Sequence, residues 1–148
     1  YVICISRKCI SVHFKRDVSM MYSKAQQLGK RFKPKQKDRT KIREKDYHKM
    51  IDIWGAYCIF CGKHNKGAHH ERYRAKGGKG RYTNLLPLCQ AHHHDAHTYN
   101  SIRKTLEYKL EQTFGVNYWM DEWDLYERGL IDHPTVGEYE KYFEGVRE

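Results

Sequence analysis

Histidine and cysteine side chains are concentrated in the middle of the sequence, between residues 58 and 97. The whole chain has 148 residues, of which ten are histidines and five are cysteines. Thiolate and imidazole groups bind zinc and other transition metals, and imidazole also exchanges protons near neutral pH. This segment therefore predicts metal binding, with proton transfer as a second expectation.

Two pairs of candidate metal ligands share one spacing. Cys58 and Cys61 form a Cys-x2-Cys pair, and Cys89 and His92 form a second pair with two residues between them. A structural zinc ion is held by four such ligands in a closed tetrahedron, with no position left for water. We therefore predict a structural zinc site that adds metal affinity to folding stability. The alternative is that His92 is an ordinary surface histidine.

A further set of polar side chains lies outside this zinc frame. His69 and His70 are adjacent, so on a strand they point to opposite faces, and one could hold a metal while the other faces a substrate. His93 and His97 are four residues apart, so on a helix they share a face and can bind one ion. Asn84 begins a predicted strand, where its amide could hold the loop or reach the metal.

Helices and strands that would position these side chains follow from the periodicity of the sequence. We predict a helix from Asp38 to Trp54, ended by Gly55, and then a tight knuckle that turns at Gly62. Strands are expected over residues 67–74 and 84–88, and Pro87 argues for an edge position. A basic, glycine-rich loop at 75–81 joins them. A further helix is expected from Cys89 or Gln90 to about Thr98. A second helix, or a continuation of this one, is expected from Tyr99 to near Gly115.

Both ends of the chain have a different composition. Residues 1–19 could include a short strand, and Cys4 and Cys9 lie there without ligand spacing. The Lys-rich residues 23–41 predict a mobile basic arm, either a grip on phosphates or a solvated linker. The acidic, aromatic C-terminal end predicts two short helices, at 119–128 and at 135–145, the second with Thr135 as its N-cap. Their aromatic side chains are expected to pack in the core rather than to stack on nucleic-acid bases.

Charge is unevenly distributed along the chain, whose formal net charge is +10. Residues 1–104 contain 24 Lys and Arg against 7 Asp and Glu, whereas residues 105–148 contain 4 against 11. A basic body is expected of a protein that binds a nucleic-acid backbone, the alternative being a merely soluble basic protein. The acidic end could face away from the nucleic acid, cover basic surface or bind a protein partner.

No run of about 18 apolar residues is present, so no membrane partner is expected. The opening stretch Tyr1–Ile5 is apolar but too short for the core of a signal peptide. Without secretory signals, the Cys-x2-Cys spacing favours metal binding over disulfides. We therefore expect reduced thiols and a cytoplasmic protein.

The order and spacing of these elements resemble the HNH endonuclease motif of the ββα-metal superfamily. The residues that carry the resemblance are Cys58-x2-Cys61, His69-His70, Gly77-Gly78, Asn84-Leu85-Leu86-Pro87-Leu88-Cys89 and His93-x3-His97. They cover about 40 of the 148 residues. The family often has Cys-x2-Cys-His where this chain has Cys89-x2-His92-His93, and imidazole can replace thiolate at zinc.

The resemblance implies an α+β fold with a ββα-metal core that is stapled by a structural zinc and flanked by helices. The nuclease domain would span residues 38–115, with its motif core at 58–97. Residues 1–37 would be an N-terminal extension and basic arm. Residues 116–148 would be an acidic, aromatic helical tail. A compact stand-alone protein of this kind is most similar to enzymes of phages or mobile elements, acting in a bacterial host or a phage-infected cell.

Roles for the central residues also follow from the resemblance. His70 would be the general base that activates water. His69, His93 and His97 would bind a catalytic divalent metal (Mg, Mn, Ni or Zn), and Asn84 would brace the loop or contact that metal. His94 would be peripheral. The products would carry 5′-phosphate and 3′-hydroxyl ends.

Basic side chains surround the predicted site and could hold the flanking phosphates of DNA. The alternative is that they only solvate a flexible loop. These side chains are Arg72, Arg74, Lys76, Lys79 and Arg81.

Two other classes of function remain open. A non-catalytic, zinc-dependent nucleic-acid-binding module would need the zinc frame but not the second histidine set. A protein-interaction adaptor built on the acidic end would leave the centre of the chain unexplained. We therefore expect a metal-dependent HNH endonuclease, a phosphodiester hydrolase acting on DNA.

Overall fold

The structure is a computed structural model that describes residues 33–147. Its helices are α1 (Gln36–Arg39), α2 (Glu44–Trp54), α3 (Gln90–Thr98), α4 (Asn100–Phe114), α5 (Glu122–Glu127) and α6 (Val136–Arg147). Its strands are β1 (Ala68–His70) and β2 (Leu85–Pro87), with 3-10 turns at Arg74–Lys76 and Tyr82–Asn84. The fold is therefore α+β, with a small sheet among helices. The strand predicted in residues 1–19, Cys4, Cys9 and most of the basic arm lie outside the described residues.

Strands β1 and β2 form an antiparallel two-stranded sheet, in which His69 pairs with Leu86. Both strands are shorter than the sequence predicts. Beyond β1, the backbone N–H of Arg72 donates to the side-chain Oδ1 of Asn84 at 2.9 Å instead of to a backbone carbonyl. Strand pairing ends at this point because the Asn84 side chain accepts the hydrogen bond that a backbone carbonyl of the partner strand would otherwise accept. Pro87 lies on an edge, since both strands of this sheet are edges.

The helix predicted from Asp38 to Trp54 is wrong at its beginning. It is replaced by α1 and α2, which are separated by residues 40–43. The backbone of Arg43 is extended, with φ −91° and ψ 150°. The carbonyl of Arg39 accepts the N–H of Gly80 at 3.0 Å, so tertiary contacts use groups that a continuous helix would need. The same contacts place residues 36–41 in the folded part of the chain rather than in a mobile arm.

Helix ends elsewhere follow the sequence prediction closely. Gly55 ends α2 with φ 83°, and Gly115 ends α4 with φ 75°, a region that glycine enters without a steric penalty. Cys89 is the N-cap residue of α3. At α6, the backbone N–H of Glu138 donates to Oγ1 of Thr135 at 3.3 Å, as expected for an N-cap.

The hydrophobic core includes both the central elements and the acidic end. Leu85 and Leu86 of β2 are fully buried, and so are Phe114, Tyr139 and Phe143 from the later helices. The ring of Phe143 meets the rings of Phe114 and Tyr139 at centroid distances of 6.1 and 4.9 Å. Most aromatic residues of the C-terminal segment, including Tyr139 and Phe143, are therefore packing residues, as predicted.

None of the helices within residues 33–147 has both the length and the apolar character needed to cross a membrane.

Candidate metal centres and cleft

Four predicted zinc ligands converge in the structure. The knuckle brings in Cys58 and Cys61, and the start of α3 brings in Cys89 and His92. The ligand atoms of all four lie within 4.8 Å of one another. Nδ1 of His92 is 3.4 Å from Sγ of Cys58 and 3.3 Å from Sγ of Cys89. This Cys3His cluster can hold a structural metal ion.

Distances within the cluster fit a tetrahedral ion. For metal–sulfur and metal–nitrogen bonds of about 2.3 and 2.0 Å, tetrahedral edges are roughly 3.8 Å between two sulfurs and 3.5 Å between sulfur and nitrogen. The Sγ atoms of Cys61 and Cys89 are 3.7 Å apart. The knuckle reaches this geometry because Gly62, with φ 68°, lets its N–H donate to the carbonyl of Cys58 at 2.9 Å.

Backbone amides prepare the cluster for a cation. Burial raises the pKa of the Cys58 thiol, but N–H groups from Cys89, Phe60 and Cys61 outweigh burial and lower the pKa to about 6. A backbone N–H from His92 lowers the pKa of Cys89. Metal binding requires thiolate, so both shifts favour it.

Three histidines form a second cluster. His69 of β1 and His93 and His97 of α3 bring their ring nitrogens within 4.8 Å of one another. The Nε2 atoms of His93 and His97 are 3.3 Å apart, and the ring of His69 lies 5.0 and 5.2 Å from theirs. His92 and His93 adjoin in sequence, yet they belong to different clusters. The zinc frame and the second histidine set of the sequence prediction are therefore separate in space.

His69 is the buried member of the histidine cluster, with 1% exposure. Neither of its ring nitrogens has a hydrogen-bond partner in the structure. A buried polar group without a partner costs about 1–3 kcal/mol, so an unpartnered imidazole facing two others fits a metal ligand. Burial, followed by the charges of His93 and His97, lowers the pKa of His69 to about 3, which keeps it in the neutral form that binds metal.

His69 and His70 differ in burial, as the strand alternation predicts: His69 is buried and His70 is half-buried. Nε2 of His70 lies 3.2 Å from the carbonyl oxygen of Thr40. A carbonyl only accepts, so Nε2 carries the proton and Nδ1 carries the lone pair of the neutral ring. Burial lowers the pKa of His70, against the hydrogen bond to Thr40 that raises it. His70 can therefore accept a proton at Nδ1 at neutral pH.

Asn84 is fully buried, and its amide holds the loop between the strands. Nδ2 donates to the carbonyls of Arg72 at 3.1 Å and Lys79 at 2.9 Å, while Oδ1 accepts the N–H of Arg72. These bonds correspond to the loop-bracing alternative of the sequence analysis. Both polar atoms of the Asn84 amide are therefore engaged with backbone groups of the loop.

A cleft of about 710 Å³ runs beside the histidine cluster. His70 lies in its wall together with residues that the sequence analysis did not assign to the site. These residues include Thr40, Lys41, Ile42 and Tyr73. Tyr73 stacks on His97 at a centroid distance of 5.1 Å, and its hydroxyl donates to the carbonyl of Ala96. Residues 40–42 carry no motif, so only their position in the fold identifies them.

Two of the five cations predicted to contact phosphates are buried. Lys79 is 4% exposed and lies 3.2 Å from Oδ2 of Asp124. Arg81 is 5% exposed, and its guanidinium pairs with Glu122 at 2.5 Å and Asp46 at 3.3 Å. The prediction that Lys79 and Arg81 hold phosphates is therefore wrong, because carboxylates inside the protein already neutralise them.

The other three cations of this loop remain accessible. Arg74 lines the cleft and is exposed, and Lys76 is exposed beside it. Arg72 is half-buried, with its guanidinium 4.0 Å above the ring of Trp119 and its Nε donating to the carbonyl of Lys76. Arg74 is thus the predicted phosphate contact that adjoins the cleft.

Comparison with protein-family models, with curated proteins and with solved structures finds no match for the chain.

Proposed function

We propose that the chain is an HNH-type endonuclease that hydrolyses phosphodiester bonds of DNA, of the kind that phages and mobile elements carry. The observation that carries the proposal is the histidine cluster beside the cleft. His69, His93 and His97 offer three converging ring nitrogens, and His70 lines the same cleft. A module that only binds nucleic acid has no need for this second set.

The order of elements supports a ββα-metal core. The antiparallel strands β1 and β2 are followed directly by α3. The first strand carries His69 and His70, and the helix carries His93 and His97 on one face. The Cys3His cluster would hold zinc and tie the knuckle to the start of α3.

A divalent ion fits the histidine cluster because the buried ring of His69 lacks any other partner. Imidazole accepts Mn, Ni or Zn as well as Mg. When bound, such an ion supplies positive charge to the phosphate and to the leaving oxygen. The three histidines would hold it at the edge of the cleft.

His70 performs the proton transfer in this proposal. Nδ1 takes a proton from water, the water oxygen bonds to phosphorus, and the bond from phosphorus to the 3′ oxygen breaks. The 3′ oxygen leaves and is protonated by solvent, so the products carry 5′-phosphate and 3′-hydroxyl ends. Lys41 and Arg74, which both line the cleft and are exposed, would hold the flanking phosphates.

Cleavage of supercoiled plasmid DNA with added Mg²⁺ or Mn²⁺ tests the proposal. Wild-type protein is expected to nick or linearise the plasmid. The His70→Ala variant should cleave at least about 100-fold more slowly, the usual effect of losing a general base. Its metal content and circular dichroism spectrum should stay those of the wild type.

His94→Ala is the matched control, because His94 is exposed on the same helix as the ligands and belongs to neither cluster. It should cleave like the wild type. Metal-loaded protein that binds DNA without ever cutting it would refute the nuclease and favour the zinc-dependent binding module. Equal cleavage by His70→Ala would refute the role of His70.

A further inference from the structure

One wall of the cleft comes from residues 40–42, outside both the hairpin and α3. The carbonyl oxygen of Thr40 in this wall accepts a hydrogen bond from Nε2–H of His70. Thr40 is 5% exposed, and its hydroxyl donates to the carbonyl of Lys37 at 3.1 Å. The position of this wall therefore determines which nitrogen of His70 carries the lone pair.

A buried ion pair with the C-terminal segment holds the residue before the wall. Nε of Arg39 donates to Oδ2 of Asp121 at 2.6 Å, and its Nη2 donates to Oδ1 of Asp121 and, at 2.5 Å, to Asp124. The side chains of Arg39 and Asp121 are 5% and 4% exposed. A bidentate arginine–carboxylate pair limits orientation as well as distance.

Asp121 is itself held by its helix. Its Oδ1 accepts the backbone N–H groups of Trp123 and Asp124, both at 3.1 Å, as the N-cap of α5. The pair thus connects the beginning of α5 to the end of α1.

The loop between the strands closes on the wall from the other side. The N–H of Gly80 donates to the carbonyl of Arg39 at 3.0 Å. A Cβ atom at Gly80 would lie 2.2 Å from the carbonyl oxygen of Lys41, so the two backbones are in direct contact. Residues 39–41 are therefore confined between this loop and α5.

We propose that the Arg39–Asp121 pair positions the general base: it holds the Thr40 carbonyl against Nε2 of His70, which lines the cleft, and so keeps the lone pair on Nδ1. This inference rests on the proposed function for the role of His70 as the base. Arg39 and Asp121 are positioning residues, since they act through Thr40. Without the pair, residues 40–42 can move and the Thr40 carbonyl no longer stays in contact with Nε2 of His70. Both tautomers of His70 then become populated.

The test is the double variant Arg39→Met with Asp121→Asn. It removes both charges together, which avoids the penalty of one unpaired buried charge. Asparagine caps a helix about as well as aspartate, so α5 keeps its N-cap. The single variant Asp121→Asn is measured alongside, in case the double variant does not fold.

Two readouts separate positioning from a purely structural role. In zinc-loaded protein without DNA, ¹⁵N NMR of the imidazole ring, assigned through His70→Ala, should report Nε2-protonated His70 in the wild type and a tautomer mixture in the variants. In plasmid cleavage, kcat should fall about 10- to 100-fold, as small misplacements of catalytic groups do, while KM for DNA changes less than about twofold.

Phe143→Leu is the control for loss of stability alone, because Phe143 is buried against Phe114 and Tyr139 and lies outside the cleft wall. It should keep one tautomer and the wild-type kcat. A single Nε2-protonated tautomer in the folded variants would overturn the inference, and so would an unchanged kcat with mixed tautomers. Tautomers that depend on the pair in a protein that never cuts DNA would support the positioning and refute the nuclease.

Discussion

His92, His93 and His94 are consecutive histidines with three different surroundings. His92 contacts the thiols of Cys58 and Cys89, and the hydrogen bond that its protonated ring donates to Cys89 raises its pKa. His93 faces His69, while His94 is exposed. Consecutive positions on a helix are rotated by about 100°, so neighbours readily serve different sites.

Because His92 and His93 belong to different clusters, we expect alanine substitutions at these two positions to affect different metal sites. His92→Ala should lose the tightly held zinc and lower the free energy of unfolding by about 3 kcal/mol or more, since metal loss is among the largest causes of destabilisation. His93→Ala should keep that zinc and bind Ni²⁺ at the second cluster more than about 100-fold more weakly, because even outer-shell partners contribute about 10- to 100-fold. Elemental analysis, urea unfolding and calorimetric Ni²⁺ titration measure the three quantities.

His94→Ala serves as the control for both variants and should change neither zinc content nor Ni²⁺ affinity. Loss of zinc from His93→Ala, or its retention at wild-type affinity in His92→Ala, would contradict the assignment of the two neighbours to different ions. A Cys58→Ser variant should behave like His92→Ala, since both remove one ligand of the same cluster.

At the scale of elements, the loop between β1 and β2 is shaped by hydrogen bonds to Asn84 and by the close backbone approach that Gly78 permits. The Asn84 amide accepts a hydrogen bond from the N–H of Arg72 and donates to the carbonyls of Arg72 and Lys79. A Cβ atom at Gly78 would lie 1.8 Å from the carbonyl oxygen of Arg72, which shows how closely the loop folds on itself. This packing holds β1, and with it both histidines, against the helices.

Asn84→Ala is therefore expected to destabilise the fold by about 2–4 kcal/mol, because one buried and two part-buried hydrogen bonds are lost at about 1 kcal/mol each and their partners are left unsatisfied. Urea unfolding measures the change. Asn100→Ala is the comparison, since Asn100 is exposed and should contribute less than about 0.5 kcal/mol. A folded Asn84→Ala protein of wild-type stability would show that the brace is unimportant, and would return Asn84 to the alternative of a metal contact.

For the molecule as a whole, the acidic C-terminal segment neutralises buried cations of the basic body. Asp121 and Glu122 pair with Arg39 and Arg81, and Asp124 pairs with Lys79. Of the three alternatives for the acidic end, covering basic groups matches these contacts. The cations that remain exposed include Lys41 and Arg74 beside the cleft.

The buried pairs predict loss of stability in acid. Burial would raise the pKa of Asp121, but its hydrogen bond with Arg39 and the charge of Arg39 outweigh burial and hold the pKa below its ordinary value. A lowered folded-state pKa contributes stability above the unfolded value of about 3.9, and this contribution disappears as the pH falls through the folded value.

Asp121→Asn should therefore be about 3 kcal/mol less stable than the wild type near neutral pH, with a difference that shrinks below about pH 4. Urea unfolding across pH, with metal content checked at each step, measures this difference. Asp52→Asn is an exposed control expected to change stability by less than about 0.5 kcal/mol at any pH. A difference that does not vary with pH would mean that charge pairing is not what Asp121 contributes.

Local patterns predicted the helices α3 and α4 and their ends, because caps and glycine stops act within a few residues. They also predicted the Cys3His cluster and the pairing of His93 with His97. They left open which of His69 and His70 would join that pair, and the family resemblance implied His69. They failed for the helix expected to begin at Asp38, whose break depends on Gly80 and His70. They failed for Lys79 and Arg81 as well, since a cation in a basic loop looks accessible until its distant carboxylate is known.

The sequence alone determined which groups are available to bind metal and transfer protons. They are two ligand pairs of equal spacing, a histidine pair on a strand and a histidine pair one helical turn apart. These depend on backbone periodicity, which is local. Only the tertiary structure decided that His69 is buried without a partner, that Thr40 holds His70, and that Arg39 is paired with Asp121, 82 residues away. Burial and ion pairing depend on which distant segments pack together, and no local spacing encodes that.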